Sequence, residues 1–461
     1  MMRNLKNALS PELSRVQDRA RTNRMEKFTS LAHYLTVEML QRSYDRLRKD
    51  SAVGIDGVSK ADYGENLLDN LEDLHRRLKM MKYRATPVSR VYLEKEDGSK
   101  RPLGIPTTED KIVEGAVLEI LSAIYEVDFH GFNYGFRPGK SAHDALQSLQ
   151  TALQKGKVNW VLDADITKFF DSIDHKELMK VIKRRVVDSR LLRIIGKWLS
   201  TGYVEENGRR VREKQGTPQG RIISPMLANI FLHTILDDFV HNWRKSEARG
   251  EIYIVRYADD FVIATERKED AEILLVELGK RFEAFGLKLH PEKTRLIKFG
   301  RRWVEGNKGG GRKPDTFDFL GFTHIAGVDR QGHYLVKRKT MKKRLKRAIK
   351  RTYQICKQMM HSPMNIQHDK LSKILIGHYN YYGVRGNFKA LKQFHYEIWK
   401  IWYKRLKRRS QKGMAFRKFL KYLEDFPLPK PKITHPEGWL LVNPGHLLGR
   451  AGCGKSARPD L

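Results

Sequence analysis

Paired aspartates occur at two places in the chain, each within an apolar, strand-like stretch. Asp259 and Asp260 lie between two β-branched runs in the stretch 252–265, a pattern typical of a β-hairpin with both carboxylates at its tip. Asp163 and Asp165 alternate with apolar residues, so both point to one face of a second predicted strand. A carboxylate in apolar surroundings is costly unless a cation compensates its charge, which favours a divalent metal. Asp-Asp is also a common turn pair, and the hairpin by itself leaves both interpretations open.

Carboxylates on neighbouring strands suit phosphoryl transfer from a nucleoside triphosphate. That reaction requires charge to be neutralised on the attacking and leaving oxygens, and two Mg²⁺ ions roughly 3.5–4 Å apart, held by shared carboxylates, achieve this. Magnesium takes few protein carboxylates and leaves its other positions to water and phosphate. The two aspartate stretches therefore predict a two-magnesium site.

The charge of the chain indicates a polyanionic partner. Its 461 residues include 89 Lys and Arg against 54 Asp and Glu, a formal charge of +35, which favours nucleic acid. We expect no membrane association, because no apolar run approaches the roughly eighteen residues of a membrane span and no lipidation motif or signal-peptide core occurs. Cys356 and Cys453 are far apart, so we expect neither a disulfide framework nor a cysteine zinc site, and a reducing, cytoplasmic setting fits.

A predicted hairpin between Pro87 and Pro106 carries a group of cations. Asp97-Gly98 is a strong turn signal, and Lys95 and Arg101 lie near it. A solvated turn and a basic hairpin that grips phosphates both fit this pattern.

Other segments of the first 300 residues combine loops with helices. The stretch 111–125 is predicted to be an amphipathic helix. The loop 132–141 mixes aromatic, glycine and basic residues, which suits base stacking as well as ordinary packing, and Ser141 is a suitable helix cap. A Gly/Pro-rich loop precedes an apolar helix that starts at Ser224, and such loops let backbone approach a ligand closely.

Basic residues concentrate in the segment 331–412. It holds 23 Lys and Arg against two acids, with apolar residues at helical spacing, so we predict a basic helical domain that contacts nucleic acid. The following tail is rich in Pro and Gly. It contains GRAGCGKS (449–456), which satisfies a phosphate-loop pattern. Only five residues follow that pattern, too few for the helix that must bind the phosphates, so we do not expect an ATPase.

Seven motifs follow one another along the chain: RPLGIP (101–106), FNYGFRPGKSAHDAL (132–146), DITKFFDSIDH (165–175), GTPQGRIISPMLANIFL (216–232), YADD (257–260), GLKLHPEKT (286–294) and FDFLGF (317–322). Their order resembles the reverse-transcriptase blocks of bacterial group II intron-encoded proteins. The resemblance runs from about residue 35 to 410, and 375–409 resembles the maturase-specific thumb region of that family.

The resemblance implies an α+β right-hand polymerase. Fingers and palm would consist of an antiparallel sheet plus helices, and the thumb would be α-helical. The expected segments are an N-terminal helical extension (1–50), fingers with part of the palm (51–160), palm with the catalytic aspartates (161–330), basic thumb or maturase domain (331–412) and basic tail (413–461).

The resemblance also assigns the metal site. It implies that Asp165, not Asp163, is a metal ligand, together with Asp259, Asp260 and the backbone carbonyl of Ile166. Two Mg²⁺ ions would be bound there.

Further residues match substrate-binding positions of the family. Phe170 would be a steric gate whose ring leaves no room for a 2′-OH. Lys95 and Arg101 match positions that hold the triphosphate, and Gln219 and Gly220 match the loop that lines the nascent base pair.

Two more basic residues have expected roles. Lys293 matches the lysine proposed to protonate the pyrophosphate leaving group. Arg221 stands where the family commonly has a small residue, and its guanidinium is expected to contact template or triphosphate, or to alter processivity.

The function implied is an RNA-directed DNA polymerase of group II intron type with maturase activity. Its partners would be structured intron RNA, an RNA template/DNA primer duplex and dNTPs. The chain ends without the C-x-x-C pairs of an HNH nuclease, so we expect no second-strand nicking. A splicing-only maturase and a domesticated reverse transcriptase in phage defence or DNA repair are the alternatives. The oligomeric state is not predicted.

Overall fold

The computed structural model describes most of the chain, in residues 9–94, 98, 100–212, 215–217, 219–306, 315–409 and 413–436. Within these, residues 9–149 and 162–296 form one compact unit, and residues 150–161 and 297–436 form another. No helix in the described ranges is long and apolar enough to cross a membrane. Lys95 and the phosphate-loop pattern at 449–456 lie outside the described residues. The five-segment division stays a prediction.

Helices dominate the described chain, and strands form three small sheets. The helices are α1 (Pro11–Thr22), α2 (Val37–Asp45), α3 (Lys60–Gly64), α4 (Leu67–Lys79), α5 (Thr108–Tyr125), α6 (Ala142–Lys155), α7 (Phe169–Ser172), α8 (His175–Ile182), α9 (Ser189–Ser200), α10 (Ser224–Leu232), α11 (Asp238–Ser246), α12 (Lys268–Ala284), α13 (Arg301–Glu305), α14 (Lys342–Gln358), α15 (Met364–Tyr382), α16 (Phe388–Lys407) and α17 (Phe416–Asp425). The strands are β1 (Val88–Glu94), β2 (Lys100–Ile105), β3 (Trp160–Ala164), β4 (Tyr203–Val204), β5 (Arg210–Val211), β6 (Ile252–Tyr257), β7 (Asp260–Thr265), β8 (Arg295–Lys298), β9 (Thr316–Phe319), β10 (Phe322–Val328) and β11 (Tyr334–Thr340). A π-helix, His233–Asp237, joins α10 to α11.

The sheet that carries the aspartates has the strand order β6-β7-β3-β8. Strands β6 and β7 form the predicted antiparallel hairpin, with Tyr257 opposite Asp260. A second sheet has the order β2-β1-β4-β5, and its β1–β2 hairpin pairs Arg101 with Leu93. Both hairpins predicted from turn signals are therefore confirmed, because each depends on residues that are close in sequence.

The core of the first unit surrounds α5. We expected an amphipathic helix here, but α5 is buried on nearly all sides, and it contacts α1, α2 and α10. A helix packed on several faces buries polar residues as well, and Asp110 and Glu114 are both in the interior. The Thr107 side chain caps its first turn by accepting a hydrogen bond from the Asp110 N–H at 3.2 Å.

The second unit is built from α14, α15, α16 and α17 around a core of its own, with Leu371, Phe394 and Trp402 among the buried residues. Strands β9, β10 and β11 form its antiparallel sheet. The basic segment predicted to be helical from residue 331 therefore begins with a strand, in which buried residues alternate with more exposed ones from Leu335 onward, a period of two. From α14 onward the helical prediction is confirmed.

Candidate active site

The aspartate hairpin turns in two residues, Ala258 and Asp259. Ala258 has a φ of +60°, in the left-handed region that costs an L-residue about 1–2 kcal/mol. Such a conformation persists only where its surroundings hold it. The tip therefore needs fixed contacts, and the structure supplies them from three other segments.

Arg256 holds the tip from below. This side chain is fully buried, and it donates to both carboxylate oxygens of Asp237 in the π-helix, with an Nε–Oδ1 distance of 2.7 Å. Its Nη1 donates to Asn229 Oδ1 at 3.0 Å and to the Ala258 carbonyl at 2.8 Å. We call Arg256, Asp237 and Asn229 the turn clamp, because they fix the backbone immediately before Asp259.

Gly135 closes the other side of the turn. A Cβ at this position would overlap the backbone N and C atoms of Ala258 and Tyr257. Its carbonyl accepts a hydrogen bond from Asn229 Nδ2 at 2.8 Å, and the neighbouring Tyr134 N–H donates to the Arg256 carbonyl at 2.9 Å. The loop 132–141 thus packs as backbone against the hairpin, and only glycine fits at the closest approach.

Asp165 lies just beyond β3, on the strand next to β7. Its carbonyl accepts from the His290 N–H at 2.8 Å, and the Thr167 N–H donates to the Lys288 carbonyl at 2.8 Å. This antiparallel pairing places Ile166 at a position whose own N–H and carbonyl point away from 288–290. The Ile166 carbonyl is therefore outside that ladder and remains a candidate ligand.

Asp165 lies close enough to Asp259 to affect the pKa of the Asp259 carboxyl. Burial raises the pKa of Asp259 above its ordinary value, and the neighbouring Asp165 carboxylate raises it further, while Arg101 and Arg256 act in the opposite direction. The exposed Asp260 follows at the start of β7. Clustered oxygen ligands with a repulsive like-charge pair are suited to a hard divalent cation, so the donor set fits the predicted metal.

Asp163 in β3 and Asp165 just after it have different partners. Asp165 Oδ2 accepts from Lys293 Nζ at 2.6 Å, whereas Asp163 Oδ2 accepts from Arg295 Nη2 at 3.0 Å. Strand alternation alone left both acids as candidates. The structure gives Asp163 an ion pair beside the site and brings Lys293 directly to the Asp165 carboxylate.

The remaining substrate-binding candidates are connected through the loop that precedes α10. Phe170 packs edge-on against Phe169 at 5.3 Å between ring centroids, and its carbonyl accepts from the Thr217 N–H at 2.8 Å. Further along, the Gln219 carbonyl accepts from the Gly104 N–H at 2.5 Å. Gly220, with a φ of +117°, lies against the Gly104 carbonyl where a Cβ would clash. This loop therefore joins the Phe170 segment to β2, which carries the exposed Arg101.

Arg221 requires a correction. Its side chain is 1 % exposed, and Nη1 lies 2.5 Å from Glu114 Oε1 and 3.6 Å from Asp110 Oδ2. Its Nη2 donates to the Thr86 carbonyl at 3.0 Å. The guanidinium is directed into the interior rather than toward a template or triphosphate, so its role is to hold the Gln219–Gly220 loop on α5.

Comparison with known proteins identifies the family. The family described as reverse transcriptase (RNA-dependent DNA polymerase) matches residues 93–324, a range that contains every site residue discussed above that lies in the described chain. The chain belongs to the reverse transcriptase family. Membership implies the right-hand polymerase fold, with which the observed helices and antiparallel sheets agree, and the general use of divalent metal ions.

Relatives support the resemblance to intron-encoded proteins. The chain is 36% identical over 230 residues to the group II intron-encoded protein LtrA of Lactococcus lactis, and 34% identical over 243 residues to an uncharacterized 91 kDa protein in the cob intron of Schizosaccharomyces pombe. It is 33% identical over 274 residues to the protein YkfC of Escherichia coli K12. Each match covers about half of this reverse transcriptase (50%, 52% and 53%) and 38%, 30% and 71% of the relative.

Sequence reasoning missed the turn clamp and the buried partners of Arg221. In both instances the sequence contains a charged residue within an apolar stretch. Arg256 is the one charged residue in the otherwise apolar or aromatic strand β6, and Glu114 lies among apolar residues of α5. Charged residues at buried positions need partners, so each of these two predicts an ion pair, although not its partner.

Proposed function

We propose that the protein is an RNA-directed DNA polymerase of the group II intron type, with nucleotidyl transfer at Asp165, Asp259 and Asp260. The observation that supports this most directly is that β3 and β7 are neighbours in one sheet, which brings Asp165 near Asp259 at the hairpin tip. Burial and the neighbouring Asp165 both raise the pKa of Asp259 there. Keeping two carboxylates together in partly buried surroundings is unfavourable unless a cation compensates them. The turn clamp makes this arrangement rigid before any substrate binds.

The metal ligands we propose are Asp165, Asp259, Asp260 and the carbonyl of Ile166, which would hold two Mg²⁺ ions. Bound magnesium neutralises charge on the attacking and leaving oxygens. The protein contributes position: the turn clamp fixes Asp259, and pairing with 288–290 fixes the backbone on both sides of Ile166. Rigid placement matters because a misplacement of about 1 Å can cost roughly a hundredfold in rate.

Substrate contacts follow from the loop and the cations around these acids. Arg101 lies within electrostatic reach of Asp259, and with Lys95 it would hold the triphosphate. Lys293, whose ammonium reaches Asp165, would donate a proton to the departing pyrophosphate. Phe170 would exclude a 2′-OH.

Backbone of the Gln219–Gly220 loop would line the nascent base pair. The hydrogen bond between Gln219 and Gly104 and the close approach of Gly220 keep this loop against β2. Arg221 supports the loop from the interior.

The first unit would contain fingers and palm, and the helices of the second unit would be the thumb or maturase domain. Helix α14 carries an apolar face with Leu345, Thr352 and Cys356 buried, and its Lys and Arg side chains are exposed, with no acid in the helix. Such a surface suits the phosphates of structured intron RNA and of a template–primer duplex, and its affinity should fall steeply with salt.

Primer extension tests the polymerase proposal. Wild-type protein with an RNA template, a DNA primer, dNTPs and Mg²⁺ should yield DNA product. Asp165→Asn should abolish synthesis, whereas Asp163→Asn is the matched control that should retain most of it, because Asp163 pairs with Arg295 instead. No product from the wild type would refute the polymerase proposal, and equal losses in both variants would refute the ligand assignment.

The maturase role has a separate test. Intron-encoded relatives support it, and it requires a ribozyme-forming intron around the gene. Splicing of that intron RNA should depend on added protein at moderate magnesium. If the flanking DNA holds no such intron, the domesticated alternatives in defence or repair take its place.

A further inference from the structure

Two histidines and an aspartate converge on the side of the first unit where the π-helix joins α11. Three atoms of His130, His233 and Asp238 lie within 4.8 Å of one another. His130 Nε2 is 2.9 Å from Asp238 Oδ1, and His233 Nε2 is 3.6 Å from the same oxygen. These residues belong to neither the catalytic carboxylates nor the substrate loop.

Two of the three spacings, both measured from Asp238 Oδ1, are close to those of tetrahedral zinc. Bonds of about 2.0–2.1 Å at tetrahedral angles place neighbouring ligand atoms about 3.3 Å apart. The observed 2.9 and 3.6 Å fall on either side of that value. Two imidazoles and one carboxylate favour zinc and similar transition metals over magnesium, which prefers an all-oxygen shell.

The local backbone is what brings these side chains together. In a regular α-helix, residues five apart do not share a face. Here the Asp238 N–H bonds to the His233 carbonyl, the i→i+5 bond of a π-helix, and this wider turn aligns the two side chains. Single π-turns within α-helices are frequently found at functional sites.

The second nitrogen of His233 also has a suitable neighbour. His233 Nδ1 is buried, and it lies 3.8 Å from Asp237 Oδ2, so a small rotation of the ring would bring the two into hydrogen-bonding distance. Metal-bound histidines commonly donate their other ring N–H to a carboxylate. Asp237 is also the acid of the turn clamp, so the cluster adjoins the support of Asp259.

The cluster is accessible from solvent. All three side chains line a cavity of about 660 Å³, whose other walls include Lys180, Lys183 and Arg184. The side chain of Asp238 is 41% exposed. The cavity gives an ion an entry path, leaves a fourth coordination position open, and would favour an anionic oxygen at that position.

We propose that His130, His233 and Asp238 bind one zinc ion, separate from the magnesium site. The proposal does not depend on polymerase activity, since the ion is detected by binding.

The zinc proposal can be tested by calorimetric titration of the full-length protein with Zn²⁺. Excess Mg²⁺ is present to occupy the catalytic carboxylates. One ion should bind, and His130→Gln and Asp238→Asn should each weaken binding by at least about tenfold. His333→Gln is the matched control, because His333 also bonds to an aspartate, Asp329, but lies in the other unit. Circular dichroism of each variant verifies folding.

Three results would overturn the proposal. The first is no zinc binding by the wild type, and the second is binding by both cluster variants that is as tight as in the wild type. The third comes from Co²⁺ substitution: a thiolate-to-cobalt absorption band would assign the ion to cysteine, whereas a tetrahedral spectrum without that band supports the histidine–aspartate site.

Discussion

Replacing Arg256 with lysine should separate the positioning of the catalytic turn from general stability. Lysine retains the charge opposite Asp237, but its single ammonium cannot reproduce the planar fork that reaches Asp237, Asn229 and the Ala258 carbonyl together. Two buried acceptors, Asn229 Oδ1 and the Ala258 oxygen, then lose their donor. At about 1–3 kcal/mol for each of the two acceptors, the free energy of unfolding should fall by roughly 2–6 kcal/mol.

The effect on synthesis should exceed the effect on folding. A stability of about 5–15 kcal/mol exceeds this loss over most of its range, so the variant should stay folded at moderate temperature. Without the bond from Arg256, however, the left-handed Ala258 is free to relax, and Asp259 moves with it. We expect kcat for primer extension, corrected for the folded fraction, to fall by about a hundredfold, as expected for a misplacement of about 1 Å.

Arg185→Lys is the matched control. Arg185 is also buried in the first unit, where it pairs with Asp128 and donates to the carbonyls of Ala20, Asn23 and Glu26. Its replacement should lower stability by a similar amount and leave the corrected kcat unchanged. If Arg256→Lys loses stability but retains the wild-type corrected kcat, the turn clamp does not position Asp259 and the reasoning is refuted.

Three further predictions concern the turn, the sugar pocket and the basic helix. Gly135→Ala should reduce primer extension at least about tenfold, because the added Cβ displaces Ala258. Gly279→Ala, at an open position in α12, is the control and should not reduce it. Equal rates for the two variants would show that the close packing of Gly135 on Ala258 does not matter for catalysis. Phe170→Ala should raise ribonucleotide incorporation relative to deoxynucleotide in single-nucleotide extension, and an unchanged ratio would remove the gate assignment. The double change Lys346→Gln and Lys350→Gln on the exposed face of α14 should lower the slope of log affinity for RNA against log salt by about 1–2, and an unchanged slope would place the RNA elsewhere.

Features set by neighbouring residues were predictable from sequence. The hairpins at 252–265 and 87–106, the cap at Ser141 and the helix start at Ser224 were all found where expected. Each depends on residues a few positions apart, whose types determine the local backbone.

Features set by distant residues were not predictable in the same way. The turn clamp unites residues from α10, the π-helix and β6, and the partners of Arg221 lie more than a hundred residues earlier in the chain. A buried charge in a sequence indicates that a partner exists, but only the tertiary structure selects which one. For the same reason Arg221 was expected at the substrate and is found in the interior.

The choice of metal ligand shows the same limit of local sequence patterns. Alternation placed both Asp163 and Asp165 on one face of the strand, and only the motif resemblance selected Asp165 as the ligand. In the structure they differ through distant partners, Arg295 for Asp163 and Lys293 for Asp165.

Asp259→Asn provides the most direct test of the catalytic site. Burial and Asp165 raise the pKa of Asp259, so the folded protein holds the proton of the Asp259 carboxyl more tightly than the unfolded chain does. As pH rises above 3.8, the ordinary pKa of an aspartate side chain, ionisation of Asp259 therefore lowers the stability of the fold. The neutral amide of Asp259→Asn should thus raise the melting temperature at pH 7 in metal-free buffer.

The decisive measurement is primer extension by Asp259→Asn on an RNA template with Mg²⁺, paired with RNA-binding affinity at the same salt concentration. We predict that DNA synthesis is abolished while RNA affinity stays within about twofold of wild type, because RNA affinity comes mainly from phosphate contacts made by basic residues. Synthesis at the wild-type rate, or a collapse of RNA binding together with synthesis, would contradict the assignment of Asp259 to the catalytic metal site.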